Sequence, residues 1–264
     1  MEIRYCVFDP NGNITILVET AVATAQQAGI AAQLLAQEPL AEQVGFLSSG
    51  GDGYDISLRM AGGEFCGNAS LCTAAYKAMR LPGFKNGCLH VAVSGAAEPV
   101  VVSLQGEDSG VWRGTVEMPL PLEISTVQLP LGSGTAELPC VRFPGICHVI
   151  DVLGLIPEAE AESRIHEWCR LLGSEALGIM HCDLAAGALA PLVYVAGIDS
   201  LYHEHSCASG TSAAAAYLAS QNGGAFSGSF VQPGGTLFAR AGQNSLQLGG
   251  KTVLLKQAVF AAAD

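Results

Sequence analysis

Apolar and polar residues alternate along much of the chain, and where the alternation stops the apolar positions repeat at helical spacing. Ile3, Tyr5 and Val7 alternate with their neighbours as in a half-buried strand, and the turn formers Asp9-Pro10-Asn11-Gly12-Asn13 lead into a second strand over 14–18, which predicts an opening hairpin. Alanine and glutamine dominate 21–36, which reads as a helix either broken at Gly29 or ending near Pro39. The turn Gly50-Gly51-Asp52-Gly53 leads into a strand over 56–60. Leu71, Ala74, Ala75, Ala78 and Met79 then recur at the spacing of an amphipathic helix with one buried face, stopped by Leu81-Pro82-Gly83. Strands are expected at 89–93, 100–104 and 111–118, and Pro119-Leu120-Pro121 marks a crossing. Beyond it the pattern predicts strands at 124–129, 141–143 and 148–152, a helix at 159–172, strands at 177–181 and 189–195, and a helix at 211–220. Four strands follow, at 226–232, 236–240, 246–248 and 253–260. Many short strands with few helices predict an α+β fold, not a parallel βαβ array.

Two of these segments repeat. CGNASLCTAAYKA at 66–78 aligns with CASGTSAAAAYLA at 207–219, placing Cys207 on Cys66 and Ala215-Ala216-Tyr217 on Ala74-Ala75-Tyr76. This reads as an internal duplication into half-domains 1–121 and 122–264, with the last strand able to return to the first half. Each half offers a thiol at a helix start. There the orphan backbone N–H groups and the helix dipole are expected to lower the thiol pKa and to bind an anion. Two such thiols across a cleft could exchange protons with one carbon and invert it.

Composition narrows the options. A net charge of −12, from 12 basic and 24 acidic residues, argues against a nucleic-acid or anionic-membrane surface. No apolar run reaches the roughly 18–20 residues of a membrane span. Nine cysteines without close CxxC pairs, and no signal-like N-terminal segment, point to a reducing, cytoplasmic setting in which most thiols are packing residues. His203-Glu204-His205 with Cys207 is the one local grouping of metal-binding residue types, and its spacing predicts no metal site.

At these residues the chain resembles the cofactor-independent amino-acid racemases and epimerases of the diaminopimelate-epimerase fold. Cys66-Gly67-Asn68-Ala69-Ser70-Leu71-Cys72 keeps the Cys-Gly-Asn opening and second cysteine of that family, and Cys207-Ala208-Ser209-Gly210 meets its Cys-Gly-Ser/Thr-Gly motif. Gly12-Asn13, His148 and Pro233-Gly234-Gly235 match further family segments. Where diaminopimelate epimerases carry a Glu-Arg pair for a second amino-acid head group, this chain has Ile198 and Asp199. The runs 60–69, 10–13 and 206–210 are more similar to histidine racemases of staphylopine-type metallophore pathways.

The resemblance implies two pseudo-symmetric half-domains, each a mostly antiparallel sheet around a central helix, with the active site in the cleft between them. It implies racemisation of L-histidine to D-histidine, with Cys66 and Cys207 as catalytic base and acid. Asn13, Gly67, Asn68, Glu204, Ala208, Ser209 and His148 are the expected substrate-binding residues. Backbone N–H groups of Gly67, Asn68, Ala208 and Ser209 would face the carboxylate, and Glu204 would face the ammonium. No cofactor or metal is expected, and the partners are a small amino-acid substrate and a second copy in a homodimer. Diaminopimelate or another amino acid as substrate, and a non-catalytic binding relative, are the alternative readings.

Overall fold

The computed structural model describes residues 1–262, without the side chain of Ile198; Ala263 and Asp264, the end of the expected second half-domain, lie outside the described residues. Contacts divide the chain into two units, one formed by Met1–Glu117 with the chain from Gly249 onward, the other by Met118–Leu248.

The first unit holds β1 (Glu2–Asp9), β2 (Thr15–Val18), α1 (Thr24–Gln37), β3 (Gln43–Gly51), β4 (Tyr54–Met60), α2 (Gly67–Ala78), β5 (Asn86–Val93), β6 (Val100–Gly106) and β7 (Val111–Glu117). Neighbouring strands pair in that order from β1 to β7. The final strand, β16 (Ser245–Ala261), lies beside β7 and pairs antiparallel with β1 in the register Tyr5↔Ala258, so the strands close into a barrel. Helix α2 packs against β2, β4, β5, β6 and β7. Ten of its twelve residues are buried, which corrects the expectation of a helix with one buried face. Ala, Ser, Thr and Gly make this possible, because small side chains let strands approach a helix on every side. Met79, assigned to the buried face by its periodicity, is 43% exposed because the helix has ended at Ala78.

The second unit holds β8 (Glu123–Leu131), β9 (Gly134–Phe143), β10 (Ile146–Asp151), α3 (Glu158–Leu171), β11 (Ala176–Asp183), β12 (Ala188–Val195), β13 (Ser200–His203), α4 (Ala208–Gln221), β14 (Phe226–Gln232) and β15 (Gly235–Gly242), followed by the start of β16. Trp168, Ile165, Cys140, Cys147 and Cys169 fill its core, so these three thiols pack as apolar side chains. Helix α4 packs against β9, β10, β11, β14 and β15.

Read from β1 and again from β9, the same order appears: two strands, a helix, two strands, a helix, two strands. β13 is the insertion. Both units also place their parallel pairs around helices, β2 with β3 around α1 and β4 with β5 around α2, then β10 with β11 around α3 and β12 with β14 around α4. Parallel neighbours need such a crossover, whereas strands joined by short turns, such as β3 with β4 and β14 with β15, pair antiparallel.

Three elements differ from the sequence pattern. β3 was hidden because its Ser48-Ser49-Gly50-Gly51 end reads as a turn, yet it is laddered on β4. β13 is short and its Leu201-Tyr202-His203 end is exposed, so it carries no burial pattern. The strands expected at 246–248 and 253–260 are one strand, β16, running through Gly249-Gly250 because ladder pairing overrides the local preference of glycine.

Candidate active site

The loop that delivers Cys66 is held from below. Ser94 Oγ accepts the Met60 N–H at 2.9 Å and donates to the Glu64 carbonyl at 2.9 Å. Gly95, at φ +78°, lies directly beneath the Phe65 backbone, where a Cβ would overlap the Phe65 nitrogen. Cys66 then caps α2 in an extended conformation (φ −134°, ψ 114°): its sulfur accepts the Ala69 N–H at 3.4 Å, and its carbonyl accepts from Ser70 N and Ser70 Oγ at 3.0 and 2.7 Å. A cysteine in this role stands where Ser, Thr, Asp or Asn usually cap a helix.

The Cys66 thiol, half-buried, donates to Gln43 Oε1 at 3.1 Å. Gln43 Nε2 in turn donates to Thr15 Oγ1 at 2.8 Å and to Asn13 Oδ1, while Asn13 Nδ2 donates to Glu42 Oε2 at 2.6 Å. Asn13, 5% exposed, thus reaches Cys66 through Gln43. Sequence reasoning missed Gln43, which sits at the start of the unrecognised β3; a polar residue opening that strand was its only signal. Cys72 is fully buried against Thr252 Oγ1, and burial pushes its thiol far up, as a packing residue requires.

In the second unit Cys207 caps α4 the same way (φ −105°, ψ 108°), its sulfur accepting the Gly210 N–H at 3.3 Å. Gly210 is required by space, since a Cβ there would overlap the Met180 sulfur and stand 3.1 Å from the Cys207 sulfur. Gln232, missed from sequence because it ends a strand far from the motif, fixes the cap: Oε1 accepts the Cys207 N–H at 2.9 Å and Nε2 donates to Thr211 Oγ1 at 2.7 Å, which donates to the Cys207 carbonyl at 2.6 Å. Gln232 also forms part of the wall of a mainly apolar cavity of about 550 Å³, shared with Asp151, His181 and Pro233.

The Cys207 thiol is pushed well above its usual range. Burial is the largest cause, and the Glu204 carboxylate adds to it by charge and hydrogen bond; the Gly210 N–H and Ser209 act in the lowering direction but are outweighed. The expected lowering at a helix start is therefore overturned here. The dipole contributes about 0.3–1 kcal/mol, against desolvation that shifts buried groups by several pKa units. Glu204, expected to face substrate ammonium, is engaged with this thiol.

His148 is fully buried, and burial pushes its pKa down to about 3, so the ring is neutral. Its Nε2 lies 3.0 Å from Ser209 Oγ, and that oxygen lies 3.6 Å from the Cys207 sulfur. Nδ1 lies against Gly178, where a Cβ would overlap it. The structure brings His148, Glu204, Ser209 and Cys207 together in one unit, and Asn13 with Cys66 in the other. Ala208 is buried in the first turn of α4, as are Gly67 and Asn68 in that of α2. His203, grouped with Glu204 and Cys207 only by its place in the sequence, pairs with Glu158 and Glu162 of α3.

Each unit thus packs its strands around a helix capped by a thiol, and the proteins the chain is similar to make it an isomerase of the racemase and epimerase class. The family described as "Histidine racemase CntK N-terminal domain" matches residues 2–263, and the chain belongs to that family. It is 30% identical over 269 residues to a histidine racemase of Staphylococcus aureus, covering 98% of this chain and 96% of that one. With a histidine racemase of Fusobacterium nucleatum it shares 32% over 217 residues, 80% of this chain and 78% of the relative. In fold it is similar to a hydroxyproline epimerase from Agrobacterium vitis (TM-score 0.69, 16% identity, 100% and 93% of the two chains). It is also similar to a PhzF-family phenazine biosynthesis protein of Bacillus anthracis (TM-score 0.68, 12% identity, 99% and 100%).

Proposed function

We propose that the protein interconverts L- and D-histidine by a two-base mechanism that uses only its own side chains and backbone. The observation that carries this is the duplicated cap: Cys66 and Cys207 each start an enclosed helix, in units of the same element order. Membership of a histidine racemase family supports the substrate, and the absence of a Glu-Arg pair at Ile198 and Asp199 speaks against a second charged head group.

Inversion requires that both sulfurs reach the same Cα from opposite faces. One thiolate takes the Cα proton, the electron pair stays on the carbon and its carboxylate, and the other thiol gives its proton to the opposite face. The sulfurs end with their protonation states exchanged. The Cα proton is far less acidic than a thiol, so the carbanion needs donors where charge grows, and the first-turn N–H groups of α2 and α4, including those of Gly67, Asn68, Ala208 and Ser209, would supply them. Burial and Glu204 favour the protonated form of Cys207, so that it would act as acid towards one enantiomer with Cys66 as base, and the two would exchange roles for the other. Asn13 would contact substrate beside Gln43, and His148 would orient Ser209. The two units would then be pseudo-symmetric halves of one diaminopimelate-epimerase fold. The setting proposed is cytoplasmic, and the assembly a homodimer.

The test is Cα proton–deuterium exchange followed by NMR in D2O without added cofactor, on L-histidine, D-histidine, diaminopimelate isomers and other amino acids. Exchange with inversion of histidine, abolished in Cys66→Ser and in Cys207→Ser, is the expected result. Inversion that survives loss of either thiol sinks the mechanism, and inversion of diaminopimelate alone sinks the substrate.

A further inference from the structure

The face of α3 that meets β13 carries a group of ligand-type side chains outside the thiol sites. Glu158 and Glu162 stand four residues apart on α3, hence on one face. His203, the last residue of β13, reaches between them, with Nε2 2.8 Å from Glu162 Oε1 and Nδ1 3.6 Å from Glu158 Oε1. One ligand atom from each of the three falls within 4.8 Å of the others. We propose that Glu158, Glu162 and His203 bind a divalent first-row transition cation that fastens β13 to α3.

The chemistry of the donors fits. A neutral imidazole and two carboxylates bring two negative charges to a dication, and imidazole with carboxylate oxygen is a donor set that Zn²⁺ and Mn²⁺ both accept, with water completing the shell. The side chains are 73%, 44% and 54% exposed, so an ion can enter from water. In the free site the imidazole nitrogens face the two carboxylates directly, and a cation would take the place of these contacts. Exposed ion pairs of this kind add too little to fix a short strand. Among the described residues β13 pairs with β12 alone, and only Glu204-His205-Ser206 separates it from Cys207. The cation would therefore restrain the segment that carries Glu204 to the thiol.

The test uses the full chain and Mn²⁺, which avoids thiolate ligands, titrated by electron paramagnetic resonance. One saturable site is expected in wild type and in the neighbouring control His205→Ala, and its loss in His203→Ala and Glu162→Gln. Amide exchange over 200–206 is expected to slow on adding Mn²⁺ to wild type and to stay unchanged in Glu162→Gln. No saturable binding to wild type, or equal binding by His203→Ala, overturns the site; binding without slower exchange overturns the fastening of β13. None of these readouts depends on histidine turnover, so the racemase reading can fail without deciding this one.

Discussion

Cys207 sits between opposing influences: burial and the Glu204 carboxylate hold its proton on, while the Gly210 N–H and Ser209 favour its loss. Glu204→Gln removes the negative charge, so the pH midpoint for alkylation of this thiol by iodoacetamide should move down, read by mass spectrometry on the peptide that carries Cys207 because exposed Cys88 also reacts. Gly210→Ala places a methyl on the Met180 and Cys207 sulfurs, and overpacking of this kind costs about 1–3 kcal/mol; a lower urea midpoint and slower Cα exchange are expected. His148 makes stability depend on acid. Its folded pKa of about 3 lies below the ordinary 6.5, so the unfolded chain binds the proton first and stability falls as pH drops from 6.5 towards 3. At about 1.4 kcal/mol per unit the loss reaches roughly 5 kcal/mol. Urea titrations at several pH values should show this slope, and His148→Gln should flatten it. Both thiols were legible in the sequence because their motif recurs, whereas Gln43 and Gln232 were not: each joins a strand end to a helix cap more than twenty residues away, which no local spacing encodes.

Among the elements, α2 and α4 show how a helix can be fixed by its lack of bulk. A helix with one buried face tolerates larger residues on the other, but an enclosed helix does not. Ala75→Leu, at a fully buried position of α2, should cost about 1–3 kcal/mol in urea unfolding, while Met79→Leu just beyond the helix should cost almost nothing. The alanine runs were visible in the sequence, but a periodicity count scores alanine as weakly apolar and so found one face. Strands with alternating patterns, such as β1 and β5, were read correctly in kind. β3 and β13 escaped because half-exposed or glycine-ended strands owe their existence to the partner strand.

Across the whole molecule, each unit carries its own optical probe, Trp112 in β7 of the first and Trp168 in α3 of the second. Ala258→Pro deletes a β16 donor in the ladder opposite Tyr5, and one lost, unsatisfied ladder bond is worth about 1–3 kcal/mol. The urea midpoint reported by Trp112 in a Trp168→Phe background should fall accordingly.

The route of β16 also sets an order of events in time. Synthesis makes residues 1–117 first, but their ring of strands lacks its closing member until 249–262 follow the entire second unit. Until then β1 stands as an open edge, able to pair with a foreign strand. The backbone bonds of Met1 to Ala262, at 2.8 and 3.0 Å, hold the start of β1 and the end of β16 side by side. A chain joined there and reopened at Pro119-Leu120-Pro121 would carry each unit as one uninterrupted stretch, and the first unit would no longer wait for the second.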